Sequence, residues 1–136
     1  PAAGFVTPAS AIAIGAGAAA LCYAAVAWLK PRMGYDDSLD AFGVHGIGGI
    51  WGALATGLWA SKAVNPAGAD GLFYGNPAQL WIQLKATLIT VVYSFVVTFL
   101  ILKLVDAILG LRVSEEEERI GLDLTQHREA AYTVLD

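Results

Sequence analysis

A single imidazole in a long uncharged run is the first place in this chain where chemistry could be done. His45 lies in DAFGVHGIGGIWGALATGLWA, residues 40–60, where nothing after Asp40 is an acid, lysine or arginine and six residues are glycine. An ionisable group in hydrocarbon is costly and normally faces a protein interior or a cavity. A neutral imidazole offers one donor and one acceptor. That inventory suits a small polar molecule or a partner ring better than a desolvated cation. The alternative is a structural histidine whose ring nitrogens hydrogen-bond across helices. Asp40, five residues earlier, is of the type that caps a helix N-terminus. Capping is the role expected of it, in preference to ligand contact, with Asp36, Asp37 and Ser38 as competing caps.

The helix that must carry the ring has two unlike sides. At 100° per residue, His45, Gly48, Gly49, Gly52 and Thr56 share a narrow sector, with Ala41 beside it. Ile47, Ile50, Leu54 and Leu58 fall opposite, with Trp51 at their margin. Gly43 and Gly46 bring further glycine to the same run. Glycine is a poor helix former, so several in one helix cost stability unless close backbone approach repays them. The glycine side is therefore expected to pack on other helices, and the aliphatic side to meet lipid or bulky neighbours.

The surrounding elements are read from hydropathy. The 136 residues are 57% hydrophobic with a mean hydropathy of +0.59, too apolar for an ordinary soluble domain. Residues 9–29, 41–60 and 86–102 carry no acid, lysine or arginine. About 20 helical residues cover the ~30 Å hydrocarbon core of a bilayer. The fold class expected is an all-α membrane protein with three transmembrane helices, at about 9–29, 40–60 and 79–109. Thr7 and Pro8 mark the first helix start, and Pro31 and Gly34 are expected to stop it. The segment 61–80 is turn-rich, with Asn-Pro twice. The first run lacks a basic leader and is not read as a signal peptide. The chain reads as the C-terminal piece of a longer membrane protein. Cys22, the one cysteine, reads as a small packing residue.

Charge divides the chain at residue 109. Residues 1–109 are balanced, and residues 110–136 hold three arginines against seven acids, which accounts for the net −4. The expected domains are thus a membrane part, 1–109, and a soluble acidic tail, 110–136. Lys30 and Arg32 after the first helix and Arg112 after the third give a modest positive-inside bias that puts the tail in the cytosol. Nothing suggests nucleic acid or a polybasic lipid-binding segment. Ser114 and Glu117 fit a capping box, Gly121 should break that short helix, and Asp123 or Thr125 offers a second cap.

These residues also carry a resemblance. DAFGVHGIGGIWGALATG resembles the late-helix signature of the ammonium transporters, the Amt/Mep/Rh family, of the form D-x-F-G-V-H-G-x-G-G. GLRVSEEEERIGLDLTQHREAAY is similar to their cytosolic C-terminal region, and PAAGFV to the end of an earlier signature. Order and spacing agree from Pro1 to about Tyr132, and the tail favours the Amt/Mep branch. The resemblance implies a fold of eleven transmembrane helices in two inverted halves, assembled as a homotrimer in the plasma (inner) membrane with one pore per subunit. This chain would supply the last three helices and the tail.

On that resemblance His45 corresponds to the second of two pore histidines, and Ala41 would line the pore beside it. Asp40, Gly43, Gly46, Gly48, Gly49 and Gly52 would be structural on the pore helix. The first histidine and the external ammonium site would belong to helices outside this chain. The implied activity is transport, not enzymatic chemistry. Ammonium loses a proton, ammonia passes a hydrophobic pore, and the proton follows separately, so net charge moves. Methylammonium is a further candidate substrate, and no cofactor or metal is expected. Gly110, Arg112, Gly121, Asp123 and Thr125 would belong to a regulatory tail that couples to PII-type signalling proteins. Thr125 stands where some relatives are phosphorylated, although an ordinary cap is the preferred reading of it. His127 reads as structural.

Three rivals remain at this stage. An ammonium sensor with little flux would share this sequence. A haem-binding membrane subunit would need a second axial ligand beyond the one membrane histidine. A purely structural module leaves the histidine on a glycine face unexplained.

Overall fold

The computed structural model describes residues 2–130; Pro1 and the last six residues of the expected tail, 131–136, lie outside the described residues. The chain divides into two compact units, Pro1–Val92 and Tyr93–Asp136. The described residues form helices and turns, with no strand among them.

The first helix, α1 (Pro8–Met33), starts as expected. Thr7 Oγ1 accepts the Ser10 N–H at 3.2 Å, and Pro8 occupies the first turn, where no N–H is needed. Pro31 does not end the helix. The chain widens into a π-turn over Ala25–Leu29, passes through Pro31 and stops only at Gly34, in the left-handed region at φ 64°. A proline inside a helix lacks an N–H and its ring collides with the carbonyl four residues back. The wider turn placed just before the ring makes room for it. Gly34 then closes the helix as a left-handed C-cap, accepting a conformation that costs other residues more.

The second helix, α2 (Ile47–Trp59), is entered through another π-turn, Phe42–Gly46, so the run is helical over residues 41–59. It packs on α1 by close approach. The Trp51 indole N–H donates to the Ile14 carbonyl at 2.8 Å, and its ring lies over Gly17, where a Cβ would fall 2.5 Å from a ring carbon. Gly48 sits against Cys22 Sγ, and a Cβ there would be 3.1 Å from the sulfur. Small residues at such contacts let helices meet at van der Waals distance, the main source of attraction between helices in lipid.

The segment after α2 is ordered by its own polar groups. Ser61 N–H donates to the Phe5 carbonyl at 2.9 Å, and Gly71 N–H to the Ala60 carbonyl at 2.8 Å. Asp70 accepts the Lys62 N–H at 2.8 Å on its carboxylate, and its carbonyl accepts the Asn76 side-chain amide at 3.0 Å. Gly71 is required by space: a Cβ would lie 2.7 Å from the Leu58 carbonyl oxygen. Trp59 stacks at a tilt on Phe73, with centroids 5.1 Å apart, and edge-on to Trp51 at 6.2 Å.

The third helix, α3 (Pro77–Leu109), has 33 residues and none buried. Such a helix is about 50 Å long, more than a hydrocarbon core needs. It belongs to the first unit up to Val92 and to the second from Tyr93. Gly57 of α2 faces its first turns, and a Cβ there would fall 2.9 Å from Leu80 Cα. By length and apolarity, α1 and α3 are the two helices among the described residues fit to cross a membrane. The expected middle span is not among them, since its α-helical part, Ile47–Trp59, has only 13 residues.

In the second unit a short helix, α4 (Glu115–Ile120), carries the expected capping box. Glu117 N–H donates to Ser114 Oγ at 3.3 Å, and Ser114 N–H donates back to Glu117 Oε2 at 3.0 Å. Gly121, at φ 115°, ends it, and a third π-turn follows over Asp123–His127.

Candidate functional site

His45 is the fourth residue of the π-turn Phe42–Gly46 and is exposed in this chain. No described residue hydrogen-bonds its ring. Ala41, one turn earlier, is exposed as well, and a Cβ at Gly49 would meet nothing within 4 Å. One sector of the helix is therefore open along Ala41, His45 and Gly49. A π-turn closes through a longer hydrogen-bonded ring than an α-turn, and such turns recur at functional sites because they re-aim one side chain.

The sides of α2 differ from the expected division. Gly48 packs on α1 and Gly52 is buried, but Gly49 faces open space. Gly43 is buried against α1, where a Cβ would fall 2.7 Å from Val26 Cγ2. Gly46 lies under the Phe42 ring, with a Cβ position 2.9 Å from it. Ile47, Ile50, Leu54 and Leu58 are half-buried by this chain's own residues. The reason is the π-turn and Trp51. The bulky indole, at the margin of the aliphatic side, turns that edge toward α1, and the open sector falls where the histidine stands.

Asp40 does not cap the helix. It lies outside the helix in the left-handed region, at φ 55°, and its carboxylate meets Lys30 Nζ at 2.5 Å. The cap is Asp37, whose two carboxylate oxygens accept the Ala41 N–H at 2.8 Å and the Phe42 N–H at 2.9 Å. The left-handed turn at Asp40 folds the chain back so that the earlier carboxylate reaches the first free N–H groups. Lys30 also donates to the Asp37 carbonyl at 2.6 Å. The sequence marks Lys30 only as a cation that sets orientation, and does not single out Tyr35 or Val26. Their contacts join residues 7 to 17 positions apart, and no helical periodicity encodes them. Tyr35 sets its ring edge-on to Phe42 at 5.7 Å.

In the tail, Thr125 is not an N-cap either. Its hydroxyl donates backward to the Gly121 carbonyl at 2.9 Å, inside the π-turn whose N-cap position is Leu122. A β-hydroxyl inside a turn finds the carbonyl four residues back more readily than an N–H ahead. Gly121 is favoured by its φ of 115°, which strains other residues. Gly110 ends α3 at φ 75°. Arg112 grips Glu118 with two nitrogens, at 2.8 Å and 3.1 Å, and this holds the Glu118 carboxyl below the usual carboxylate range. Glu117 is held low by the Ser114 backbone N–H and then by the Ser114 hydroxyl. Among the described residues no group of three or more His, Cys, Asp or Glu is placed to hold a metal ion.

Long apolar helices, glycine-mediated packing and a histidine on an open helix sector define a helical module of an integral membrane protein. The chain belongs to the Ammonium Transporter Family, whose model matches residues 1–132. It is 58% identical over 132 residues to an ammonium transporter of Bacillus subtilis, covering 97% of this chain and 33% of that protein. It is 51% identical over 134 residues to the ammonium transporter Amt1 of Archaeoglobus fulgidus, covering 98% of this chain and 33% of that protein. Its fold is similar to the crystal structure of Saccharomyces cerevisiae Mep2, with a TM-score of 0.79 and 34% identity over 85% of this chain and 27% of that one. The chain thus spans about a third of the length of these curated relatives.

Proposed function

We propose that this chain forms part of a transmembrane passage for ammonium in which His45 stands at the conduction path. One observation carries the reading: a ring without a hydrogen-bond partner among the described residues, on a sector left open from Ala41 to Gly49, within a run that matches the ammonium transporter family. In the full-length protein the open sector would face the passage and a second histidine ring. An ion stripped of water in a low-dielectric passage is expensive, whereas neutral ammonia needs few hydrogen-bond partners. Ammonium therefore gives up its proton on entry, ammonia passes the ring, and the proton follows through the imidazoles. Potassium has no proton to shed, which supplies the selectivity.

The same reading assigns Asp40, Gly43, Gly46, Gly48, Gly49 and Gly52 to the support of this helix. It divides the chain into a membrane part, 1–109, and a regulatory tail, 110–136, in the cytosol. The tail's working parts would be Gly110, Arg112, Gly121, Asp123 and Thr125, with a PII-type protein as partner. The assembly would be a homotrimer of eleven-helix subunits in the plasma (inner) membrane. The test is electrical. The full-length protein, reconstituted in liposomes, should give a current on an ammonium gradient and none on an equal potassium gradient. Ammonium binding without current would replace transport by sensing.

A further inference from the structure

No described side chain holds the His45 ring by a hydrogen bond, so where the ring stands follows first from the backbone that carries it. That backbone is a π-turn, in which the Ile47 N–H reaches the Phe42 carbonyl. A π-turn is less favourable than the α-turn it replaces and persists only where surrounding contacts over-determine it. Three contacts do so here. Asp37 takes the N–H groups of Ala41 and Phe42. Gly43 admits Val26 at a distance no Cβ would allow. Lys30, on the last turn of α1, binds the Asp37 carbonyl and the Asp40 carboxylate together.

The third contact governs the first. Asp40 is a non-glycine residue in the left-handed region, a conformation that needs support. Lys30 supplies that support and at the same time anchors the segment that carries the Asp37 cap. Without it the start of the helix is free to slip by one residue into α register. Such a slip turns the segment by about 100° and moves it by about 1.5 Å along the axis. We propose that Lys30 is a positioning residue for His45: its ammonium group locks Asp40 and Asp37, and through them the π-turn that aims the ring into the open sector. The functional consequence rests on the reading of His45 as the conduction group; the positional claim does not.

The experiment is a cryo-EM structure of the full-length protein and of its Lys30→Gln and Lys30→Arg variants, each also assayed for ammonium-evoked current in liposomes. In Lys30→Gln the turn over Phe42–Gly46 should relax toward α register, the imidazole should shift by about 1.5 Å or more, and ammonium-over-potassium selectivity should fall. Lys30→Arg, which keeps the charge and can reach both oxygens, should restore both ring position and selectivity. An unmoved π-turn and ring in Lys30→Gln would overturn the proposal whatever the current does. A displaced ring with unchanged, selective current would uphold the positional claim and discard the conduction role of His45. Should Lys30→Gln fail to assemble, Asp40→Asn makes the same test, since asparagine tolerates the left-handed region and removes only the charge.

Discussion

Two π-turns in this chain each carry a histidine, and they are held by opposite means. Phe42–Gly46, with His45, has a local cap in Asp37 but is also held by residues of the preceding helix, Lys30 and Val26. Asp123–His127, with His127, is fixed by its own neighbours: the Thr125 hydroxyl on the Gly121 carbonyl, and Gly121 itself in a left-handed conformation. The first turn leaves its sector open and depends on the fold around it. The second closes on itself. A side chain aimed by distant contacts can be moved by changing any of them, whereas a locally closed turn reports mainly on its own residues.

The contrast can be broken most forcefully at Gly43. A Gly43→Val side chain would have to displace Val26, whose Cγ2 lies 2.7 Å from the Cβ position. Overpacking of this kind costs about 1–3 kcal/mol. The full-length protein in detergent should melt several degrees lower and lose ammonium-evoked current. A variant as stable and as active as the parent would show that the α1 contact does not hold the turn.

A smaller effect is expected at the cap. Asp37→Ala removes the acceptor for two N–H groups, and loss of an N-cap costs about 1 kcal/mol. Hydrogen exchange at the Ala41 and Phe42 amides should speed up. Asp40→Ala, which removes the Lys30 partner from the left-handed turn, should speed exchange at the same two amides by a smaller factor, and unchanged exchange there would contradict that support.

The smallest effect belongs to the tail, and its sign follows from the carboxylates. Glu117 and Glu118 are both depressed in the fold, from a usual value of 4.5. A depressed carboxylate contributes stability that is fully present above its usual value and is lost as pH falls through the lowered one. Exchange protection of α4, corrected for intrinsic rates, should therefore stay constant from neutral pH to about pH 5 and decline only under more acid conditions. Ser114→Ala should weaken α4 at neutral pH and flatten that profile, with no change at His45. Loss of protection already between pH 7 and 5 would contradict the assignment.

How much of this was legible depended on the range of the contact. Thr7 with Pro8, Ser114 with Glu117, and the stop at Gly121 are local devices, and each could be read from spacing alone. The apolar runs placed the long helices to within a few residues. Pro31 misled, because a stop signal and a proline tolerated behind a π-turn look the same in sequence. Asp40 misled for a similar reason. Four candidate caps stand in five positions, and only the left-handed turn, which Lys30 supports from ten residues away, decides that Asp37 is the one used. The glycine side that carries His45 was expected to pack on other helices; Gly48 does so, but Gly49 faces open space, and the packed edge is set by Trp51 on Ile14 and Gly17, contacts that no helical periodicity contains.

The most direct test of the account is the current carried by the full-length protein in liposomes with and without His45→Ala. The parent should conduct on an ammonium gradient and reject potassium. The variant should either fall silent or pass potassium as readily as ammonium, because the ring that relays the proton and excludes the hydrated ion is gone. A variant that still conducts ammonium, still rejects potassium and shows an undiminished current would contradict it.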